Sequence, residues 1–447
     1  MEEYQEQYQR MTQKSVAGLV LSLAIPTIIS MLVTSVYNMS DTYFVARTGS
    51  SATAAIGVVV SIMAMIQAVG FTLGMGCATK VSILLGKEET EQANSYAMAA
   101  FIMAVILGGV ILAAGFYYLP WMLSGLGTTT SMLPYAITYG RYILTAAPLS
   151  CVAFVANNLL RAEGKAKYAM AAVVTSTITH ILMDWILIGG CSMSVAGAGI
   201  ATIVSESVSC ILLLYWYFSG KTVIQLHWKY ISRNFKIYGE IVAKGFPSFV
   251  RQGFVSVATA LTNFVAAPYG DEMVAGISVM NRIFLLLFSV IVGFVQGYSP
   301  VAGYNYGAEK NRRVRKAFVF SVSFGVVVMG IVAFLTFYYA EFLVALFHIQ
   351  KGLAWETAIT ALRYQSILLP FILVAVVCNM TYQAMGKAVT ATVLAAFRQG
   401  IFFVPVIFIL PRIWGMKGIL LVQPVADGLT FLCSIPFMIK IMRKLKH

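Results

Sequence analysis

Residues 179–187 read THILMDWIL, which puts His180 and Asp184 one helical turn apart inside an apolar run. A charged side chain at the centre of a bilayer costs about 2.5 to 3.5 kcal/mol on insertion scales, so each one found there needs a reason. The acidic candidates in apolar runs are Asp41, Asp184, Glu206 and Asp427. A carboxyl group held out of water can take up a proton, a sodium ion or a cationic substrate and release one for another, which is the chemistry of an antiporter. Asp41, in VYNMSDTYFVA, shares a helix face with Asn38, three residues earlier. The plainer alternative for Asp41 and Asp184 is a hydrogen bond to a neighbouring helix with no titration. Glu206 lies in SESVSC, where hydroxyls are expected to satisfy it locally, and Asp427, in QPVADG, is expected to be polar glue between helices. His180 and Asp184 at i and i+4 could also hold a metal, but the chain has four histidines and no third ligand nearby in sequence, so no metal site is expected. A core histidine bonded to Asp184 and a proton-coupled pair both remain open.

The elements that carry these residues follow from composition. Of 447 residues, 59% are hydrophobic and 11% charged, and mean hydropathy is +0.82. Too little polar material exists to cover that apolar surface in water, so the chain is expected to be a polytopic membrane protein. The first 14 residues are polar and the apolar run after them is long enough to span, so no cleavable signal is expected. Six cysteines lie singly in apolar runs and read as small core residues. The net charge of +14 sits mostly in short loops, which points to membrane topology and not to nucleic acid.

Apolar stretches bounded by charge, Gly or Pro predict twelve spans, near 16–45, 52–79, 95–120, 132–156, 168–189, 195–218, 241–268, 273–300, 315–342, 357–383, 389–411 and 415–440. Lys and Arg collect on one side, including Arg10, Lys80, Arg161, Lys165, the 221–244 segment and the tail. The other side has Arg47, Lys351, Arg412 and Lys417. The positive-inside rule then places both termini in the cytoplasm.

The chain also resembles itself. Pro26 and Pro247, Gly76 and Gly297, and Gly86 and Gly307 are each 221 residues apart, while Pro148 and Pro370, and Asn157 and Asn379, are 222 apart. The expected organisation is a lobe of six helices over 1–218, a connector over 219–240 and a second six-helix lobe over 241–447, related by an axis along the membrane normal. HWKYISRNFKIY in the connector reads equally as an amphipathic surface helix or a plain linker. The offsets carry Asp41 onto Thr262, His180 onto Phe402 and Asp184 onto Val406, so the ionisable pocket belongs to the first half. Met280, Phe284, Phe288 and Phe402 in the second half, with Asn38 in the first, could line a cavity for a flat amphipathic substrate, although ordinary packing explains such side chains as well. Arg251, Arg282 and Arg398 are embedded basic residues without assignable partners in sequence.

PTIISMLVTSVYNMSDTYFVA, LGMGCATKVSILLGKEETEQA, NNLLRAEGKAKYAM and QGYSPVAGYNYGAEKNRRVRKA resemble the multidrug and toxic compound extrusion (MATE) family along essentially the whole chain. The resemblance implies twelve helices in two lobes around a V-shaped cavity, with drug export driven by inward proton or sodium flow. The second half, with no acid at the places of Asp41 and Asp184, looks like the DinF-like branch, not the NorM-like one. Carried onto this sequence, that branch's cation site falls on Asp41, Tyr139, Asn157, His180, Asp184 and Thr202. His180 departs from the pattern, because asparagine usually stands there, and Trp185 replaces a common proline. Asparagine offers a carbonyl that can ligate sodium, whereas imidazole adds a titratable group, so proton coupling is expected.

The expected function is thus a monomeric antiporter in a bacterial cell membrane. It exports small organic cations, touches lipid, and uses no cofactor beyond the coupling proton or sodium. A lipid-linked oligosaccharide flippase or polysaccharide exporter is the alternative, although such proteins tend to have more cationic cavities. Short loops and scarce histidine argue against a membrane enzyme.

Overall fold

Hydrocarbon supplies no hydrogen-bond partners, so a spanning chain must satisfy its backbone within itself, and this sequence does so with helices. The computed structural model describes residues 2–45, 49–349 and 351–445, and contains no strand among them. Fifteen α-helices follow in order: α1 (Glu2–Gln13), α2 (Val16–Val45), α3 (Ser50–Gly86), α4 (Thr90–Gly125), α5 (Leu133–Ala162), α6 (Ala166–Asp184), α7 (Ser194–Phe218), α8 (Phe235–Ala266), α9 (Asp271–Gly307), α10 (Asn311–Tyr338), α11 (Ala340–Ala345), α12 (Leu353–Ile367), α13 (Leu369–Ala384), α14 (Ala388–Ala396) and α15 (Phe403–Lys444).

Among the described residues, nine stretches are long and apolar enough to cross a membrane, and the α12–α13 pair, bent by 54°, makes a tenth. The stretch Ala388–Lys444 is interrupted at Gly415, whose φ of 54° and ψ of −130° are not helical, so it holds two crossing helices. The twelfth is α8, which carries Lys236, Glu240, Lys244 and Arg251 and is less apolar for that reason. These twelve form two pseudo-symmetric six-helix lobes. The fifth crossing helix of each lobe contains a π-helical turn, Trp185–Gly190 after α6 and Phe397–Ile401 between α14 and α15. Equivalent side chains make equivalent bonds: Asn157 Nδ2 donates to the Ala169 carbonyl at 3.2 Å, and Asn379 Nδ2 to the Ala391 carbonyl at 2.6 Å.

The connector is not a surface helix. One 3₁₀ turn at Trp228–Tyr230 is followed by α8, which begins at Phe235, so the helix takes in the last residues expected to be linker. Residues 2–13, read from sequence only as polar, form α1. Tyr4, Tyr8 and Met11 recur at helical spacing on its packed face. This helix bridges the lobes at the connector side of the molecule. Tyr4 donates to the Leu85 carbonyl at 3.0 Å and Gln7 to the Glu163 carbonyl, while Asn305 donates to Met11 at 3.0 Å and Arg313 to Lys14 at 2.6 Å.

The lobes meet directly through glycines on that same side. A Cβ on Gly76 would overlap the Ile241 carbonyl of α8, and one on Gly297 would reach within 2.4 Å of Ala24 in α2. At the pseudo-axis, Gly86 faces the Tyr304 carbonyl and Gly307 faces the Ile83 carbonyl, each pair being the repeat image of the other. Gly307→Ala is therefore expected to cost about 1 to 3 kcal/mol, the usual penalty of overpacking. Gly330→Ala, where no atom lies within 4 Å, should be neutral or stabilise by up to about 1 kcal/mol. Thermal unfolding of the two variants in detergent checks the difference, and equal midpoints would refute the close approach.

Candidate functional site

α6 carries His180 and Asp184 on one face and ends at Asp184, where the π-helical turn begins. Both side chains are fully buried, with His180 Nε2 lying 3.3 Å from Asp184 Oδ2. On the other side of the imidazole, Nδ1 lies 3.2 Å from Ser205 Oγ in α7. Ser205 donates its own hydroxyl proton to the Thr202 carbonyl at 3.0 Å, so its oxygen accepts from the ring. The hydrogen-bond network therefore assigns a proton to Nδ1 and turns Nε2 toward the carboxyl group. Nε2 and Asp184 Oδ2 are thereby placed where one proton can be shared between them. The Tyr37 ring, its centroid 4.2 Å from that of His180, closes the site on the α2 side.

Of the other residues expected in the cation site, Thr202 adjoins the pair, its carbonyl accepting from Ser205. Thr202 is buried and bonds the Ala198 carbonyl at 3.0 Å, Tyr139 is buried with its hydroxyl 4.0 Å from Met63 Sδ, and Asn157 holds α5 to α6. The side chains of Asn38 and Asp41 lie outside those the structure describes. Beside the pair, a cavity of about 170 Å³ opens between α2, α3, α5, α6 and α7, lined by Tyr37, Asn157, Ser176 and Glu206 among others. Glu206 is not satisfied by its sequence neighbours, since Ser205 and Ser207 donate to the backbone carbonyls of Thr202 and Ile203. Ser150 of α5 lines the same cavity.

Arg161 corrects a sequence expectation. Counted there among loop cations, it is buried at 5% exposure, lines the cavity and donates to Gln296 of the second lobe. Its spacing of four residues from Asn157, which places both on one face of α5, is the signal that sequence reading passed over.

In the second lobe, Asp427 is buried in a network of its own. Arg398 Nε approaches Asp427 Oδ1 at 2.8 Å, Gln423 reaches the same oxygen at 3.0 Å, and Gln365 bonds Oδ2 at 2.5 Å. By the 222-residue offset this pair occupies the places of Ser176 and Ser205, which are themselves joined through the Ser176 hydroxyl and the Ser205 carbonyl at 2.8 Å. The Arg398 guanidinium lies 4.4 Å from the Phe288 ring centroid and 5.6 Å from that of Phe284. Those two rings stack with each other, whereas Met280 packs beside Leu362 and Phe402 beside Ile407, in separate clusters. Arg251 approaches Ser248 at 3.5 Å, and Arg282 is exposed.

Comparison with known proteins gives the same architecture. The family model MatE matches residues 26–186 and 247–409. The multidrug export protein MepA of Staphylococcus saprophyticus is 23% identical over 433 residues, which cover 96% of this chain and 95% of that one. MepA of Staphylococcus aureus is 24% identical over 419 residues, covering 93% and 92%. Among solved structures, the outward-facing conformation of a multidrug resistance MATE family transporter superposes with a TM-score of 0.93 at 24% identity, covering 98% of both chains. A transporter from Pyrococcus furiosus, described as having a binding pocket of reverse polarity, gives 0.93 at the same identity and coverage.

The Arg398–Asp427 pair has a testable energetic signature. Arg398→Met should destabilise by about 3 to 5 kcal/mol by leaving a buried carboxylate uncompensated, and adding Asp427→Leu should recover most of that loss. Unfolding of the single and double variants measures the coupling, and simple additivity would contradict the pairing.

Proposed function

The chain belongs to the MATE family, and from that premise we propose that it is a secondary antiporter exporting cationic, amphipathic compounds in exchange for protons. The twelve-helix architecture makes it a multi-pass membrane protein, and its MepA relatives are multidrug export proteins. The observation that carries proton exchange is the His180–Asp184 pair. Its hydrogen bonding turns Nε2 of a fully buried imidazole toward a fully buried carboxyl group, an arrangement that supports exchange of one proton. Loading that proton leaves a site with one more positive charge, and unloading it restores an attraction for cations, so proton and substrate favour opposite states of the first lobe.

In this reading both termini and the 219–234 segment face the cytoplasm, as their Lys and Arg residues require. The glycine contacts and α1 then close the cytoplasmic side, and the described conformation opens outward. Alternating access consists of the lobes parting at Gly86 and Gly307 and meeting on the other side. Asp41, Tyr139, Asn157 and Thr202 complete the coupling site, and sodium is the competing ion because their oxygens suit it.

Asp184→Asn and Asp41→Asn are each expected to abolish export from proteoliposomes while leaving membrane insertion intact. An imposed pH gradient should drive uptake of an ethidium-type cation in the absence of sodium. Strict dependence on a sodium gradient would replace the proton in this mechanism, and full activity in both asparagine variants would move the coupling site elsewhere.

A further inference from the structure

At the end of the second lobe where α10 begins and α15 finishes, the two helices rest on α13 and hardly on each other, which leaves an open groove between them. Arg315 of α10 and Arg443 of α15 line this groove together with Phe318, Val322, Met438 and Met442. The two walls run in opposite directions along the chain yet present the same order of chemistry. Arg315 lies in the first turns of α10, and Val322 follows roughly 10 Å further along by helical rise. On α15, Met438 comes before Arg443, which falls in the last turn. The groove is therefore cationic at the helix ends and apolar toward the interior of the bilayer.

The protein supplies these guanidinium groups with no counter-charge. Among the described residues, no ion pair or side-chain hydrogen bond reaches Arg315 or Arg443. Residues 310–316, KNRRVRK, and 437–447, FMIKIMRKLKH, contain no acid, and Glu309, in the turn before α10, does not line the groove. Positive charge is crowded at this end of the lobe. In the turn between α13 and α14, Lys387 is pulled down to about 8 by burial and by the charges of Lys444 and Lys440 beside it.

We propose that the groove binds one anionic phospholipid, its phosphate held between Arg315 and Arg443 and an acyl chain lying along Val322 and Met438. Guanidinium groups present paired N–H donors that match phosphate oxygens, and basic pockets between membrane helices select anionic headgroups. A soluble phosphate would satisfy the arginines and leave the apolar walls unused. A zwitterionic lipid would cover those walls but bring its own cation to a site already crowded with positive charge. The bound lipid takes the place of direct packing between α10 and α15. On the orientation proposed above it belongs to the cytoplasmic leaflet, although its binding requires only that these helix ends lie at a membrane surface, whatever ion drives transport.

The test is photo-cross-linking in phosphatidylcholine nanodiscs, which expose both leaflets. Full-length protein is irradiated with a trace of phosphatidylglycerol or phosphatidylcholine carrying a diazirine in one acyl chain, and labelled peptides are mapped by mass spectrometry. Peptides spanning 315–323 and 438–443 should take up the phosphatidylglycerol probe about tenfold more than the phosphatidylcholine probe. Arg315→Gln with Arg443→Gln should bring the two probes level at those peptides. Lys229→Gln with Arg233→Gln removes the same charge from exposed positions in the connector and should leave the preference intact. Arg315→Lys with Arg443→Lys should retain part of it, and covers the case in which the double glutamine variant does not fold. Equal labelling by the two probes in the wild type, an unchanged preference in a folded double glutamine variant, or an equal loss in the connector variant would overturn the site. Displacement of the probe by millimolar glycerol 3-phosphate would overturn it too, by showing a site for soluble phosphate.

Discussion

Hydrocarbon can neither donate nor accept a hydrogen bond, and every feature of this protein answers to that constraint. The backbone answers with helices. The buried side chains answer by finding partners within and between the lobes: His180 between Asp184 and Ser205, Asp427 among Arg398, Gln365 and Gln423, and Arg161 on Gln296 across the seam. Where such a network closes on itself it holds helices together. Where it sets a titratable nitrogen against a carboxyl group, as at Nε2 of His180, it offers the site on which the proposed exchange rests.

Duplication supplied two lobes of one design, and the polar networks show how far they have diverged. The amide of Asn157 and that of Asn379 still clasp equivalent carbonyls. A few residues away, the first lobe joins its helices with the serine pair Ser176 and Ser205, and the second uses an arginine and an aspartate. Small hydroxyls leave room, and the cavity with Glu206 occupies it. The larger ion pair carries its own counter-charge, and its guanidinium covers Phe288 and Phe284. One lobe thus has a hollow with a carboxylate, and at the equivalent helix junction the other has an ion pair.

Much of this was legible in the sequence, for physical reasons that differ by feature. Hydropathy located the spans because a bilayer has a fixed thickness, and the gap expected between 411 and 415 falls where Gly415 leaves the helical region. The repeat offsets anticipated the paired asparagines and glycines. What sequence did not show was long-range partnership. Arg161 looked like one more loop cation because its acceptor, Gln296, is 135 residues away. Glu206 looked satisfied because hydroxyls adjoin it, yet those hydroxyls turn to their own helix, as serines in membrane helices commonly do. α1 was overlooked because a short polar helix gives no hydropathy signal, although Tyr4, Tyr8 and Met11 mark its buried face.

The glycines at the pseudo-axis have a consequence for the rate of the transport cycle. Gly86 and Gly307 meet the opposite lobe as bare main chain, with no rotamers to lose. Closing such a seam carries almost no side-chain entropy penalty, whereas each long side chain immobilised there would add up to about 2 kcal/mol. It also demands no search for matching conformers, so the two surfaces behave like a smooth bearing instead of a zip. Parting and resealing such a seam therefore adds little side-chain ordering to whatever motion the lobes make.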